Sequence, residues 1–298
     1  MLDKFKTFVA LSKYKSYTVT AQKLFCSQPT ISQQIKLLEK HYGVQLIQRK
    51  NGEVLLTEKG QQFLKYVQEI LQLHDNLEVQ MNEKHRENDV ISVYVSHYLA
   101  TYFFNELFST ESEKANYPFE IQSQDYAGLK ESLMEGKTSF AIMPYYAEDD
   151  DIKKNYKMEI LFEEEFVLIV PKDHELTRRK VVYTKDLQQE NVFLPMSRLL
   201  QQRIRSAIEQ KEVYPKFSHM SDFTLIKQAV HLNMGVGFIP KYALQDATQS
   251  FAVIEVKGLK IIRQNAVILN RFKPLTPFEK AFIEKIKMNF MKYEKSIS

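Results

Sequence analysis

The sequence predicts an α/β chain in three parts: a small helical head closed by a two-strand hairpin, a long amphipathic helix, and a larger body in which strands alternate with helices. Three observations predict it. Short helical periodicities fill the first forty or so residues and give way to strand-like runs around Asn51-Gly52. Apolar residues then recur at heptad spacing from Phe63 to Met81. From Val90 onward, short β-rich stretches alternate with helical ones.

The chain has 298 residues, enough for two or three compact units, and its 44% hydrophobic and 26% charged composition is that of a folded protein. The one cysteine, Cys26, excludes an internal disulfide framework and any CxxC metal site, and favours a reducing setting. The N-terminus is broken by charges, and the longest apolar run, Phe166 to Val170, is too short to span a bilayer. A cytoplasmic protein with no membrane partner is expected. Residues 1–60 hold ten Lys/Arg and four Asp/Glu, a charge of +6, whereas the whole chain carries +4. A basic head on a slightly acidic body points to a polyanion partner for the head.

In the head, Leu2, Phe5, Phe8, Val9 and Leu11 repeat at helical spacing. A second helix, capped by Thr18, is expected to bury Ala21, Leu24 and Phe25. A third begins with Ser27 as N-cap and Pro29 in its first turn. Its core stripe is Ile31, Ile35, Leu38 and Tyr42. The opposite arc carries Pro29, Ser32, Gln33, Lys36 and Lys40, with Gln28 and Thr30 at its start and edge. Glutamine pairs with adenine in a major groove, hydroxyls pair with several bases, and lysine suits guanine or phosphate. Two helices joined by so short a turn, the second with such a face, form a helix-turn-helix. The following strands around Asn51-Gly52 read as a wing whose Arg49 and Lys50 reach phosphates.

The run from Ala21 to Gly60, AQKLFCSQPTISQQIKLLEKHYGVQLIQRKNGEVLLTEKG, resembles the DNA-binding segment of the LysR-type transcriptional regulators. The SQPTIS turn, the I-x-x-LE and G-V-x-L-x-x-R steps and the final LT-x-x-G carry the resemblance. Gln33 stands where the family often has a basic residue, Leu37 where a polar one is usual, and Ile47 where Phe is common. These departures concern which operator is read.

From Thr57 a capped helix is expected to run to about Arg86, with a seam of Phe63, Val67, Ile70, His74, Leu77 and Met81 broadened by Leu64 and Leu71. The resemblance implies that this linker pairs two subunits, so that two recognition helices meet the half-sites of an inverted-repeat operator in double-stranded DNA. It also implies a homotetramer built from such homodimers. His74 reads as a packed seam residue, and Glu87 to Val90 as a hinge.

In the body, VISVYV, FEIQSQ, SFAIMP, EEFVLIV, NVFLP, KFSHM, GVGFIP and NAVILNR read as strands, with helices between them and a last helix from Thr276. Their rhythm is that of a parallel sheet covered by helices. EFVLIVPKDHEL and DFTLIKQAVHLNMGVGFIP also resemble the effector domain of LysR-type regulators. The resemblance implies a periplasmic-binding-protein-like domain of two αβ subdomains with a small molecule between them. The expected division is a DNA-binding domain at 1–58, a linker helix and hinge at 59–88, and a regulatory domain at 89–298. Within it, subdomain I spans 90–163 plus 266–298 and subdomain II spans 164–265.

Ligands of open α/β sheets bind at strand C-terminal ends. That rule selects Ser96, His97 and Tyr98, Asp125 and Tyr126, and Tyr145 on one side. Met196, Ser197, Arg198 and Phe223 face them. Hydroxyls and helix-start N–H groups suit a carboxylate or phosphate, to which Arg198 adds charge. Gly235 to Gly237 is followed by Pro240 and is no dinucleotide fingerprint, and no G-x-S-x-G elbow occurs. Ser96 and His97 are adjacent on one strand end and point apart, so they form no catalytic pair with Asp125. The remaining histidines lack metal-ligand spacing, Ala147 to Asp151 reads as a solvated acidic loop, and Lys292 to Ser298 should fray. No cofactor, metal or catalytic residue is expected. The reading is a DNA-binding regulator governed by a small-molecule effector. An effector-independent architectural DNA binder and an α/β enzyme of similar build are the alternatives.

Overall fold

The computed structural model describes residues 1–50, 53–81, 90–108, 119–244 and 251–297. The Asn51-Gly52 turn, the expected continuation of the linker to Arg86 and residues 87–89 of the hinge lie outside them. The chain divides into two compact units, the first built on Met1–Asp89 and the second on the bulk of the chain from Val90.

In the first unit, α1 (Leu2–Tyr14) buries Phe5, Thr7, Phe8 and Leu11. Helix α2 (Tyr17–Lys23) starts two residues earlier than expected, with Ser16 Oγ as its cap in place of Thr18. It buries Thr20 and Ala21, but Leu24 and Phe25 are exposed. The helix ends at Lys23 and Phe25 takes a left-handed φ of 51°, which swings its side chain off the buried face. Helix α3 (Gln28–Tyr42) begins as expected: Ser27 Oγ accepts from Thr30 N, and Pro29 lies in the first turn. Ile31, Ile35 and Leu38 are buried; Tyr42 is half exposed, its ring edge against Phe63 at 4.8 Å.

The hairpin strands β1 (Ile47–Lys50) and β2 (Glu53–Leu56) pair antiparallel. Glu39 of α3 ties the hairpin down, its Oε1 accepting from the backbone of Leu46 at 2.8 Å and Ile47 at 3.1 Å. Thr57 Oγ1 donates to Gln45 O at 2.7 Å and accepts from Gly60 N at 2.9 Å, capping α4 (Glu58–Met81). A Cβ on Gly60 would stand 2.0 Å from Leu46 O, so the LT-x-x-G step is a cap followed by an obligatory close approach.

The second unit is built on β3 (Ile91–Ser96), α5 (His97–Tyr102), α6 (Phe104–Phe108), β4 (Phe119–Gln124), α7 (Tyr126–Met134), β5 (Phe140–Tyr145), α8 (Asp150–Asn155) and β6 (Tyr156–Pro171). There follow β7 (Val182–Tyr183), β8 (Asn191–Pro195), α9 (Arg198–Glu209), β9 (Lys216–Met220), α10 (Phe223–His231), β10 (Val236–Pro240), β11 (Phe251–Ile254), β12 (Val256–Lys257), β13 (Ile262–Asn270) and α11 (Pro277–Ile297). The strand order is β4-β3-β5-β13-β6-β10-β8-β9, with β11 also on β6; β7 and β12 form a separate pair.

The sheet is mixed, not parallel. β3 runs parallel to β4 and β5, and β8 to β9 and β10, but β13 is antiparallel to both β5 and β6. Strand β6 is 16 residues long and begins eight residues before the expected strand. Its first part pairs with β13, and from Phe166 onward it pairs with β10 and β11. Helix α11 returns to the first half and buries Phe282, Ile283, Ile286 and Phe290, the last stacked on Phe162 at 4.8 Å. It is helical to Ile297. Among the described residues, no helix is long and apolar enough to cross a membrane.

Candidate nucleic-acid interface and effector site

On α3, Gln28, Pro29, Gln33, Lys36 and Lys40 are exposed, while Thr30 and Ser32 are half-buried. Thr30 Oγ1 lies 2.8 Å from Ser27 Oγ, so it belongs to the cap. Pro29, Gln33, Lys36 and Lys40 follow one another at helical spacing opposite Ile31, Ile35 and Leu38, and Leu37 is exposed beside them. Gln34 instead turns inward to Thr7 Oγ1, which sequence reasoning missed. The Arg49 guanidinium stands 5.2 Å over the ring of Tyr17, joining the wing to the start of α2. Burial raises the Tyr17 hydroxyl pKa; Arg49 opposes the shift and Glu39 adds to it. The backbone of Lys50 closes β1. The arc offers hydrogen-bond donors, acceptors and two ammonium groups along one ridge, the chemistry of a major-groove face.

Two residues expected on the pairing seam belong elsewhere. Phe63 packs edge-on to Phe5, Phe8 and Tyr42 at 5.9, 5.2 and 4.8 Å. Val67 is 1% exposed in the same core. Docking of α4 on α1 turns that face inward. The apolar stripe left exposed is Tyr66, Ile70, Leu73, Leu77 and Met81, whose first four members keep heptad spacing. His74 beside it lies 3.7 Å from Asp75 and 4.0 Å from Glu78, a charged step within the stripe.

In the second unit the expected effector residues divide into contact groups. Ser96 Oγ caps α5 by accepting from Leu99 N, while the exposed His97 reaches Ser123 Oγ at 2.7 Å through Nδ1, so the two point apart. Tyr98 donates to Glu164 Oε2 and meets the ring of Phe223 at 5.4 Å. At their centre is Arg263, whose Nε donates to Glu164 Oε1 at 2.7 Å and whose guanidinium lies 4.6 Å from the Tyr98 ring and 5.8 Å from that of Phe223. Asn265 Nδ2 donates to the same carboxylate oxygen at 2.7 Å. Asn265 Oδ1 is buried with no hydrogen-bond partner among the described residues. Burial and the neighbouring carboxylate push the Tyr98 pKa well up. Burial alone would lower Arg263, but Glu164 holds it above its ordinary value.

The second group joins Tyr126, Tyr146 and Arg203. The rings of Tyr126 and Tyr146 lie 5.2 Å apart, and the Arg203 guanidinium stands 5.2 Å over Tyr146. Arg203 Nη2 grips both oxygens of Glu148 at 2.8 and 2.6 Å, and Nη1 donates to Ile262 O at 2.9 Å. Those bonds draw the Glu148 carboxyl pKa down. Tyr126 donates to Asp149, which also holds Lys130 and caps α8. The acidic loop is therefore not simply solvated, because Asp149 is buried. Tyr145 is buried, and Asp125 caps α7 by accepting from Gly128 N at 2.8 Å. Met196 and Arg198 are exposed, and Ser197 caps α9 without a side-chain hydrogen bond. Arg263 is buried in its ion pair and Arg203 is partly exposed in its own, while Arg198 is exposed. An arginine within the apolar run IIRQNAVILN was the signal that Arg263 is buried and paired.

Two family models match the chain: "Bacterial regulatory helix-turn-helix protein, lysR family" over residues 2–61 and "LysR substrate binding domain" over residues 84–290. The chain is 26% identical over 284 residues to a probable RuBisCO transcriptional regulator of Phaeodactylum tricornutum, covering 90% of each chain. It is 24% identical over 294 residues to the transcriptional activator CmpR of Synechocystis, covering 95% of this chain and 93% of that one. Among solved structures, full-length OxyR from Pseudomonas aeruginosa superposes with a TM-score of 0.63 at 19% identity, over 97% of this chain and 94% of that one. DarR of Vibrio fischeri, in complex with DNA, gives a TM-score of 0.54 at 19% identity, over 96% and 98%. At those identities the structural likeness concerns the fold.

Proposed function

Since the chain belongs to the LysR family of bacterial transcriptional regulators, we propose that two copies of α3 read the half-sites of an inverted-repeat operator through Gln28, Pro29, Thr30, Ser32, Gln33, Lys36 and Lys40. Arg49 and Lys50 of the wing hold the flanking phosphates. The observation that carries the reading is the exposed ridge Pro29–Gln33–Lys36–Lys40 on the side of α3 opposite a fully buried apolar stripe.

Pairing of two chains runs along Tyr66, Ile70, Leu73, Leu77 and Met81 of α4, and further contacts join the dimers into a homotetramer in the cytoplasm. The boundaries proposed are 1–58, 59–88 and 89–298, with the regulatory domain divided near Glu164 and residue 265. The switch of β6 from β13 to β10 and β11 supports that division. The effector enters between the halves and carries an anionic group. Arg203 supports this, because its partner Glu148 is solvent-exposed and replaceable by an incoming carboxylate, whereas Arg263 is sealed against Glu164. Ligand binding biases two arrangements of the oligomer on DNA; the chain regulates and does not catalyse.

Selection of bound duplexes from a randomised pool tests the reading. Gln33→Ala should relax discrimination at one base pair by ~1–3 kcal/mol, and Lys36→Ala should reduce the salt slope by about 1. Unchanged selection and salt dependence in both variants would overturn the assignment of α3.

A further inference from the structure

Phe25 has the most exposed large apolar side chain among the described residues, 96% open to solvent. Its ring makes no aromatic contact there, and its backbone holds φ at 51°, a left-handed conformation that strains a residue with a bulky side chain. The turn between α2 and α3 requires that conformation, because Phe25 N and Cys26 N fold back onto Gln22 O and Ala21 O. Glycine or asparagine would adopt it with less strain. The fold thus holds an aromatic ring out in water, in a strained position, for no packing gain. The turn accounts for the backbone conformation but not for a bulky aromatic ring at that position, and an exposed ring kept there points to contact with something else.

What lies around the ring identifies that partner. Phe25 stands two residues before the cap of α3, and exposed Lys23, Leu24, Gln28 and Pro29 carry the surface from the turn onto the reading ridge. The head carries +6 over its first sixty residues. The apolar stripe of α4 supplies a separate face for a second copy. A duplex read by α3 presents apolar groups at its groove wall, namely deoxyribose faces and thymine C5-methyls. We propose that Phe25 is a DNA-contacting residue, its ring packing on a sugar face and a thymine methyl at the wall of the groove entered by α3. This inference rests on the assignment of α3 as the recognition helix.

The test uses the full chain and duplexes selected by it from a randomised pool. Phe25→Asn should raise the melting temperature, by relieving the left-handed strain, and should weaken binding about 5- to 30-fold. Phe25→Leu should retain part of the affinity. Replacing thymine by deoxyuracil at one flanking position should weaken the unmodified protein and leave Phe25→Asn indifferent. Undiminished binding by Phe25→Asn, with Gln33→Ala and Lys36→Ala impaired, overturns this inference alone. If all three bind as the unmodified protein does, the α3 assignment falls with it. A loss of self-association in sedimentation by Phe25→Asn, with DNA affinity per dimer intact, would assign the ring to an interface between copies and also overturn it.

Discussion

Arg263 and Glu164 face each other directly across β13 and β6, joined at 2.7 Å, with side chains 3% and 0% exposed. Tyr98 and Asn265 complete the carboxylate's hydrogen bonding. A pair this deep is held by mutual compensation, so removing one member strands a charge in a dry site. Glu164→Gln should cost about 3–5 kcal/mol, read as a fall in melting temperature of the second unit. Glu164→Leu combined with Arg263→Met should cost less than either single change, and strictly additive losses would refute the coupling.

Along α4 the two faces respond differently. Leu73→Asp or Leu77→Asp should dissociate the chains in analytical ultracentrifugation while the head keeps its melting behaviour. Val67→Ala should leave assembly intact and cost the head about 1–3 kcal/mol through a cavity. Dissociation by Val67→Ala would contradict the reassigned seam.

At Gly60 there is no room for a methyl group, since Leu46 O occupies its place. Gly60→Ala should force α4 away from the hairpin at about 3 kcal/mol, although alanine is the better helix former. A rise in stability would show that the helix start shifts freely.

The Asp149 cluster gives the second unit a pH signature. Burial alone would raise the Asp149 carboxyl pKa, but bonds from Lys130, Ile152 N and Tyr126 bring it below the ordinary value. Its contribution is present above the unfolded carboxylate pKa and is lost as pH falls through the depressed folded one. Lys130 and Tyr126 have raised values, so theirs is complete below their unfolded values and lost as pH climbs through the folded ones. Asp149→Asn should flatten both limbs of a stability-against-pH profile and lower the plateau; an unaltered acid limb would exclude the cluster.

Glu148 occupies Arg203, and under the proposed effector site an anionic ligand would compete with it. Glu148→Gln should increase the melting-temperature rise produced by small carboxylates, and Arg203→Gln should abolish it. A rise that survives in Arg203→Gln would place the effector's charge elsewhere.

Much of the head was legible because its signals are local. Ser27, Pro29, Glu39, Thr57 and Gly60 each act on backbone within a few residues or at one close approach. Phe25 was misread because helical spacing placed it on the buried face, while the turn's backbone conformation took it away. Val67 carries a heptad signal that fits an intrachain core as well as a pairing seam, and only the docking of α1 decides between them. In the body, the start of β6 went unseen because Lys157, Glu159 and Glu163 dilute its apolar content; pairing with β13, about a hundred residues later in the chain, is what makes it a strand. The apolar residues around Arg263 signalled its burial, but its partner Glu164 lies 99 residues away and is invisible to spacing rules.

The position of β13 between β5 and β6 sets an order of events on the ribosome. The apolar core of the head draws only on residues between Leu2 and Leu71, so it can close as soon as α4 has emerged. In the body, β5 has an open edge and the early part of β6 has no neighbour on the β13 side until residues 262–270 are made. Strands β8, β9 and β10 assemble beside the later part of β6 in the meantime. A nascent chain halted before Ile262 therefore carries a finished DNA-binding head on a half-built body with an exposed strand edge. Such truncated chains are the ones expected to hold an operator without responding to any metabolite, and to call on chaperones while they do so.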